Sequence, residues 1–200
     1  MARRIALTGG IACGKSMAER CFLACGCRVL DADRVVWELE GPGGAAVAPI
    51  VAAFGEGVRG ADGGICRQAL AGGVFGDEGA RRRLEAIVHP LVRAAVAAWL
   101  AGAQPGEISI FSAALLYESG LAAEWPEVVC VVASEETQLR RMVAVRGMTL
   151  AAARARLAAQ MPVAEKARRS AWVLENDCDD CDALRVQVEK LVARWRMDEK

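Results

Sequence analysis

The segment LTGGIACGKSM, residues 7–17, is the most informative part of this sequence. It matches the pattern G-x-x-x-x-G-K-[ST] without a gap, at Gly9, Gly14, Lys15 and Ser16. Glycine allows the backbone of such a loop to curl, so that successive N–H groups point inward around an anion. The pattern therefore predicts a loop that binds the phosphates of a nucleoside triphosphate.

The segments on either side of this loop are predicted to be a strand before it and a helix after it, as a phosphate loop requires. An apolar run at residues 5–8 predicts a buried strand, and residues 15–25 predict a helix that Gly26 ends. The N-terminus of that helix adds its positive dipole end to the loop. We expect Lys15 to bridge the β- and γ-phosphates and Ser16 to ligate Mg²⁺. The alternative is a chance match in a glycine-rich chain, which would need neither flanking element.

The composition is that of one globular domain with a sizeable core, because 54% of the 200 residues are hydrophobic. The 25 basic and 25 acidic residues cancel, which argues against reliance on nucleic acid or an anionic membrane as a partner. We find neither a signal peptide nor an apolar run of about 18 residues. We therefore expect a cytoplasmic protein, as a monomer or weak homo-oligomer.

The eight cysteines are expected to be reduced thiols rather than disulfides. Cys178 and Cys181 have the C-x-x-C spacing of a zinc site. The other cluster, CFLACGC at residues 21–27, contains no second C-x-x-C, which favours ordinary thiols over a structural zinc. Cys13 lies inside the predicted phosphate loop beside Lys15, so we expect its pKa to be lowered and its thiol to be reactive.

Strands alternate with helices along the sequence. Four further strands are predicted at residues 28–30, 107–113, 128–134 and 171–176. Helices are predicted at residues 32–39, over most of 45–101, as a hairpin at 136–160, and at 182–196. The last helix is expected to turn Leu184, Val188, Leu191, Val192 and Trp195 inward, and Pro90 to kink or break the long middle helix. This alternation predicts a five-stranded parallel sheet covered on both faces.

A phosphate loop does not by itself say where the phosphate goes. The guanine-reading motif N-K-x-D and the switch motif D-x-x-G of GTPases are both missing from the sequence. The strands around ISIF and VVCVV do not run directly into an acid, as a strand of large ATPases usually does. The sequence therefore lacks the signals of a GTPase and of a large ATPase.

Two acids follow the second strand in the segment RVLDAD, residues 28–33. Because α/β sheets bind ligands at the C-terminal ends of their strands, an acid there suits a base for an acceptor hydroxyl. The alternative role for such an acid is to cap the next helix. We expect Asp31 to be the cap and Asp33 to be the catalytic base.

Five arginines follow the fourth strand on the predicted helical hairpin: Arg140, Arg141, Arg146, Arg154 and Arg156. Small-molecule kinases close a basic lid at this point, because arginines stabilise the charge of the transferred phosphoryl group. A solvated charged face is the alternative, and it is favoured for Arg154 and Arg156. We expect Arg141 and Arg146 to be catalytic.

With these motifs in order, the sequence resembles the dephospho-CoA kinase family over about residues 4–192. The motifs are ALTGGIACGKS, VLDADRVV, FGEGV with GGICRQAL and VF, LEAIVHPLV, ALLYESGL, ETQLRR, AAQM with EK, and ENDCD. The resemblance implies transfer of the ATP γ-phosphate to the ribose 3'-hydroxyl of dephospho-CoA, with Mg²⁺ as cofactor. Two alternatives stay open: a P-loop kinase with a nucleoside or nucleotide acceptor, and a nucleotide-binding sensor that has lost catalysis.

The resemblance also implies a P-loop NTPase fold and roles for individual residues. The core is expected at about residues 1–43, 104–134 and 168–200, a helical acceptor subdomain at about 44–103 and a lid at about 135–167. The residues expected to bind ATP are Gly10, Ile11, Ala12, Cys13, Gly14, Lys15, Ser16, Met17 and Asn176. The residues expected on the acceptor side are Asp33, as base, with Arg67, His89 and Glu118. A structural role in shaping the acceptor cleft is the alternative for His89.

The sequence departs from the family pattern at several positions. Ala12 and Cys13 stand where the family usually has glycine and serine, Ala114 where it has proline, and Trp172 where it often has aspartate. A second lid arginine is usual at position 145, which is valine here, and Arg146 follows one residue later. Because a helix rotates by about 100° per residue, Arg146 lies on a different part of the helix surface.

Overall fold

A five-stranded sheet forms the centre of the fold, which is described from a computed structural model. The structure describes residues 2–74, 76–178 and 181–198, without the side chain of Cys181. The strands are β1 (Arg3–Gly9), β2 (Arg28–Asp31), β3 (Ile108–Ser112), β4 (Glu127–Val132) and β5 (Trp172–Glu175). They lie in the order β2-β3-β1-β4-β5, and β1 pairs in parallel with both β3 and β4. The predicted five-stranded sheet is confirmed.

Helices fill the intervals between the strands. They are α1 (Lys15–Ala24), α2 (Ala32–Glu40), α3 (Val47–Phe54), α4 (Arg67–Val74), α5 (Glu78–Ala101), α6 (Glu135–Arg146), α7 (Leu150–Ala158), α8 (Val163–Arg169) and α9 (Cys181–Asp198). Short 3-10 turns occupy Glu56–Val58 and Leu121–Glu124. The predicted hairpin at residues 136–160 is present as α6 and α7, whereas α8 was not predicted.

The described residues form two compact units, and the first lies within residues 1–30 and 103–200. The central strands of its sheet are deeply buried, since the last five residues of β1 and all five residues of β3 are inaccessible to solvent or nearly so. Such continuous apolar runs are typical of parallel strands with helices on both faces. On one face α1 packs against α9, where the rings of Phe22 and Trp195 stack with centroids 5.9 Å apart. The residues predicted to turn inward on α9 are all buried: Leu184, Val188, Leu191, Val192 and Trp195.

The second unit lies within residues 31–102 and is helical. In it α5 packs against α2, α3 and α4. The expected break at Pro90 does not occur, because α5 continues from Glu78 to Ala101. A proline removes a single backbone N–H, and the buried side chains of Val88 and Val92 hold the helix on either side of it. The subdomain bounds given above, including the lid, stay a prediction.

By length and composition α5 also meets the requirements of a membrane-crossing helix. It contacts α2, α3 and α4, and 11% of its apolar stretch is buried. One such helix is weak evidence for a membrane span, because core helices of other proteins and signal sequences meet the same requirements.

Candidate active site

The loop at residues 10–14 joins β1 to α1 at the carboxyl edge of the sheet. Two of its residues have positive φ angles, Ala12 at 58° and Gly14 at 97°. Glycine is required at position 14, because a β-carbon there would overlap the side-chain amide of Asn176. The backbone carbonyl of Gly14 accepts from the N–H groups of Met17 and Ala18, at 2.9 and 3.0 Å, and so starts α1.

Lys15 is held by two side chains at the start of α1. Its ammonium Nζ donates to Glu19 Oε1 at 2.7 Å and to Ser112 Oγ at 2.8 Å, and Ser112 also contacts Glu19. The side chains of Lys15 and Glu19 are each 13% exposed. Sequence reasoning missed both partners. The spacing of four residues between Lys15 and Glu19 was the available signal, since residues i and i+4 are neighbours on a helix surface.

Side chains from distant segments hold the loop from outside. Gln138 is buried on α6 and donates from Nε2 to Cys13 Sγ at 2.7 Å and to Ala133 O at 3.3 Å. Asn176, just after β5, donates from Nδ2 to Cys13 O at 2.8 Å. The structure therefore brings Asn176 against the backbone of the loop, and Gln138 adds a contact that was not predicted.

The two lid arginines occupy different environments on α6. Arg141 donates from Nη1 to Ala12 O at 3.3 Å and from Nη2 to Cys178 O at 2.8 Å. Arg146 is the last residue of α6 and is exposed. The structure thus brings Arg141, and not Arg146, against the phosphate loop.

The expectation of a reactive Cys13 is wrong. Its side chain is fully buried, and desolvation raises the pKa of the thiol because a thiolate would lose its water. The hydrogen bonds from Gln138 and the nearby backbone and the charge of Arg141 act in the opposite direction but are the smaller effects. The prediction assumed that the thiol would face an open, N–H-lined loop, whereas it faces the core behind it.

A buried lysine organises the segment after β3. Lys166 on α8 is fully buried, and its Nζ donates to Ala114 O at 2.7 Å and pairs with Glu118 Oε1 at 2.9 Å. Thr8, two residues before the loop, donates from Oγ1 to the same Ala114 carbonyl at 3.4 Å. A buried ammonium needs such partners, because an unpaired charge in the core is strongly unfavourable. Glu118, expected on the acceptor side, lies in this network.

The helical unit contains a cavity of about 420 Å³ beside α2. Its polar lining residues are Asp33, Glu40 and Arg67, and its apolar ones are Val36, Leu70, Ala71, Val74 and Leu84. Two of the predicted acceptor residues, Asp33 and Arg67, are therefore brought together. His89 is partly buried on α5, outside the residues that line this cavity.

Asp31 is the N-cap of α2, as expected. Its Oδ1 accepts from the backbone N–H of Asp33 at 2.9 Å, which satisfies one of the free donors in the first turn. The capping contact occupies Asp31, whereas Asp33 lies with Glu40 among the acids that line the cavity.

The sequence offered two metal sites, a zinc site in the CDDC segment and a Mg²⁺ site at Ser16. Within the part of the chain that the structure describes, no group of three or more His, Cys, Asp or Glu side chains is arranged to hold a metal. The zinc alternative for the CDDC segment involves residues 179 and 180 and the side chain of Cys181, which lie outside the described residues. Ser16 is exposed in the first turn of α1, and its hydroxyl oxygen suits Mg²⁺, which takes few protein ligands when phosphates and water supply the rest.

Comparison with known proteins agrees with this geometry. A family model described as dephospho-CoA kinase matches residues 3–182. Dephospho-CoA kinase of Geobacter sulfurreducens is 45% identical over 175 residues, which cover 86% of this chain and 89% of that protein. The Anaeromyxobacter dehalogenans protein of the same name is 44% identical over 196 residues, with 97% and 92% covered. A crystal structure of a Thermus thermophilus protein superposes with a TM-score of 0.82 at 32% identity, with 96% and 97% covered.

Proposed function

The chain belongs to the dephospho-CoA kinase family, and from that premise we propose how its residues share the work of the reaction. The reaction transfers the γ-phosphate of ATP to the ribose 3'-hydroxyl of dephospho-CoA and gives CoA and ADP. The observation that supports the residue assignments is the loop between β1 and α1, with Lys15 at the start of α1 and Asn176 bound to the backbone of the loop.

The phosphates of ATP are proposed to bind to the loop at residues 10–14 and to the first turn of α1. Backbone N–H groups and the positive end of α1 suit the β- and γ-phosphates. Lys15 would exchange its contact with Glu19 for a contact with the phosphates. Ser16 would hold Mg²⁺, and the ion would neutralise charge on the phosphate oxygens. Arg141 would approach the nucleotide from α6.

Asp33 is proposed as the general base for direct in-line transfer. Its carboxylate takes the proton of the acceptor hydroxyl as the hydroxyl oxygen forms its bond to the γ-phosphorus. The bond from that phosphorus to the bridging oxygen breaks, and ADP leaves with the electron pair. Arg67, His89 and Glu118 are proposed to bind the acceptor, and Arg146 to act with Arg141 on the transferred group. The exposed position of Asp33 on the cavity surface supports its role.

The test measures ADP release with ATP and Mg²⁺, with and without dephospho-CoA, and identifies CoA by mass. Asp33→Asn should bind ATP normally and lose about 10²- to 10⁴-fold in kcat, the usual contribution of a general base. Asp31→Asn is the matched control, because asparagine caps a helix as well as aspartate does. A rate for Asp33→Asn close to the parental rate would remove the assignment.

We propose that the protein works in the cytoplasm as a monomer or weak homo-oligomer, on small molecules and not on nucleic acid or membranes. The zero net charge and the free thiols of seven described cysteines support this assignment. Light scattering across a range of protein concentrations tests the oligomeric state, and a stable dimer at micromolar concentration would contradict it.

A further inference from the structure

Glu40 and Arg67 form an unusual pair in the cavity of the helical unit. Glu40 is the last residue of α2, and its side chain is 9% exposed, whereas that of Arg67, the first residue of α4, is 49% exposed. Arg67 Nε donates to Glu40 Oε2 at 2.7 Å. One partner of the pair is thus buried in the protein wall while the other reaches the cavity.

The hydrogen bond through Nε determines which N–H donors of Arg67 a ligand can still use. Arginine has five N–H donors in a rigid planar fork, and the Nε bond uses the one nearest the stem. Within the described part of the chain, Glu40 is the acid that lies within ion-pair distance of Arg67. The four donors on the two Nη atoms therefore stay available for a planar, bidentate contact with an anion.

The backbone fixes the two residues relative to each other. Glu40 O accepts from the N–H of Ile65 at 2.8 Å, two residues before Arg67. A β-carbon added to Gly64 would lie 3.0 Å from the same Glu40 oxygen and 3.1 Å from the carbonyl carbon of Gly41. The segment before α4 therefore approaches the end of α2 so closely that a residue with a side chain at position 64 would displace it.

We propose that Glu40 is a positioning residue that holds Arg67 ready to bind a phosphate of the acceptor. Dephospho-CoA carries a diphosphate between its adenosine and its pantetheine arm, and a preorganised guanidinium suits such a group. The cavity adds apolar walls, including Val36 and Leu70, for the uncharged parts of the molecule. This inference rests on the proposed acceptor role of Arg67.

The test compares the kinetics of Glu40→Ala, Glu40→Gln and Arg67→Ala. Glu40→Ala should raise KM for dephospho-CoA by about tenfold, because the ligand itself must then order a flexible arginine. We expect kcat and KM for ATP to change by less than about twofold, as for a residue that acts in binding alone. Glu40→Gln keeps an oxygen acceptor for Nε and should restore most of the loss.

Two further variants separate this role from a merely structural one. Glu56→Ala is the matched control, because it removes the exposed Arg59–Glu56 pair, with its 2.8 Å contact, from the same unit. It should leave both KM values unchanged. In an Arg67→Ala background, Glu40→Ala should raise KM for dephospho-CoA no further, since Glu40 acts through Arg67.

The outcomes distinguish the acceptor role of Arg67 from the positioning role of Glu40. If Arg67→Ala leaves KM for dephospho-CoA unchanged, the acceptor role of Arg67 itself is wrong. If Arg67→Ala raises that KM while Glu40→Ala does not, Arg67 binds the acceptor without help, and the positioning role is overturned. Equal losses in KM for ATP and for dephospho-CoA in Glu40→Ala would indicate a general disturbance of the fold and overturn it as well.

Discussion

Replacing Glu19 with glutamine should tighten ATP binding. In the structure the Lys15 ammonium is engaged by the Glu19 carboxylate at 2.7 Å, and both side chains are only 13% exposed. A phosphate that needs the same ammonium must compete with this carboxylate and must also bind close to its negative charge. Glutamine has the same shape and keeps an oxygen for Lys15, so the substitution removes the charge and leaves the packing in place.

The size of the effect follows from the kind of contact that is weakened. An ion pair near the protein surface contributes up to about 1 kcal/mol, and the amide oxygen of glutamine keeps only the hydrogen bond to the charged ammonium. The difference available to ATP is therefore about 1 kcal/mol, since Ser112 continues to bind Lys15 from the other side. At about 1.4 kcal/mol per factor of ten, the dissociation constant for ATP should fall about fivefold.

The assay is calorimetric titration with ATP and Mg²⁺ at low and moderate salt, together with KM for ATP at saturating dephospho-CoA. Glu189→Gln serves as the control, because it neutralises another i,i+4 pair in the same unit, Arg185–Glu189 at 2.8 Å, away from the loop. Weaker ATP binding in Glu19→Gln would contradict the prediction that Glu19 competes with ATP for Lys15. It would mean that Glu19 places the lysine for the phosphates rather than competing with them.

Three further predictions concern the stability of the loop and the core. Gly14→Ala should abolish ATP binding, because its β-carbon would overlap Asn176 and its φ of 97° suits glycine; titration with ATP checks this. Burial raises the pKa of Cys27 to about 11 and that of Cys130 to about 12 in the folded protein. In the unfolded chain the pKa of a thiol is 9.0, so below that pH both thiols are neutral and contribute their full stabilisation of the fold. Stability should therefore fall as pH rises above about 9, and thermal unfolding of Cys27→Ala should show a weaker dependence on pH in that range. Lys166→Met should lower the free energy of unfolding in urea by about 2–3 kcal/mol, because it leaves a partly buried carboxylate unpaired; a loss below about 0.5 kcal/mol would contradict this.

Local sequence signals were sufficient for the features that depend on neighbouring residues. The phosphate loop lies between the strand and the helix that the apolar run before it and the helical spacing after it predicted, and Asp31 caps α2. The inward face of α9 follows from its helical periodicity alone. In each of these cases the signal lies in residues within a few positions of one another, even where, as in α9, the residues that it buries pack against a distant segment.

Features that depend on tertiary contacts could not be predicted from the sequence. Gln138 meets Cys13 across 125 positions of sequence, and Lys166 meets Ala114 across 52. The direction of the pKa shift of Cys13 depends on burial that such contacts create, so reasoning from its neighbour Lys15 gave the opposite sign. Glu40 likewise lay just outside the predicted helix at residues 32–39, and its contact with Arg67 joins residues 27 positions apart.

The same long-range contacts explain how the phosphate loop accommodates Ala12. For a residue with a β-carbon, the left-handed conformation of Ala12, with its φ of 58°, costs about 1–2 kcal/mol relative to an ordinary conformation. Such strain persists where the surroundings determine the backbone more strongly than the residue does. Here Arg141 donates to Ala12 O, Asn176 to Cys13 O, and the N–H of Ile11 to Gln160 Oε1 at 3.2 Å. All three contacts are made to backbone atoms of the loop, so they do not require the glycine and serine that the family usually has at positions 12 and 13. The departures in the loop are therefore compatible with its shape for as long as α6 and the segments around Gln160 and Asn176 stay in place.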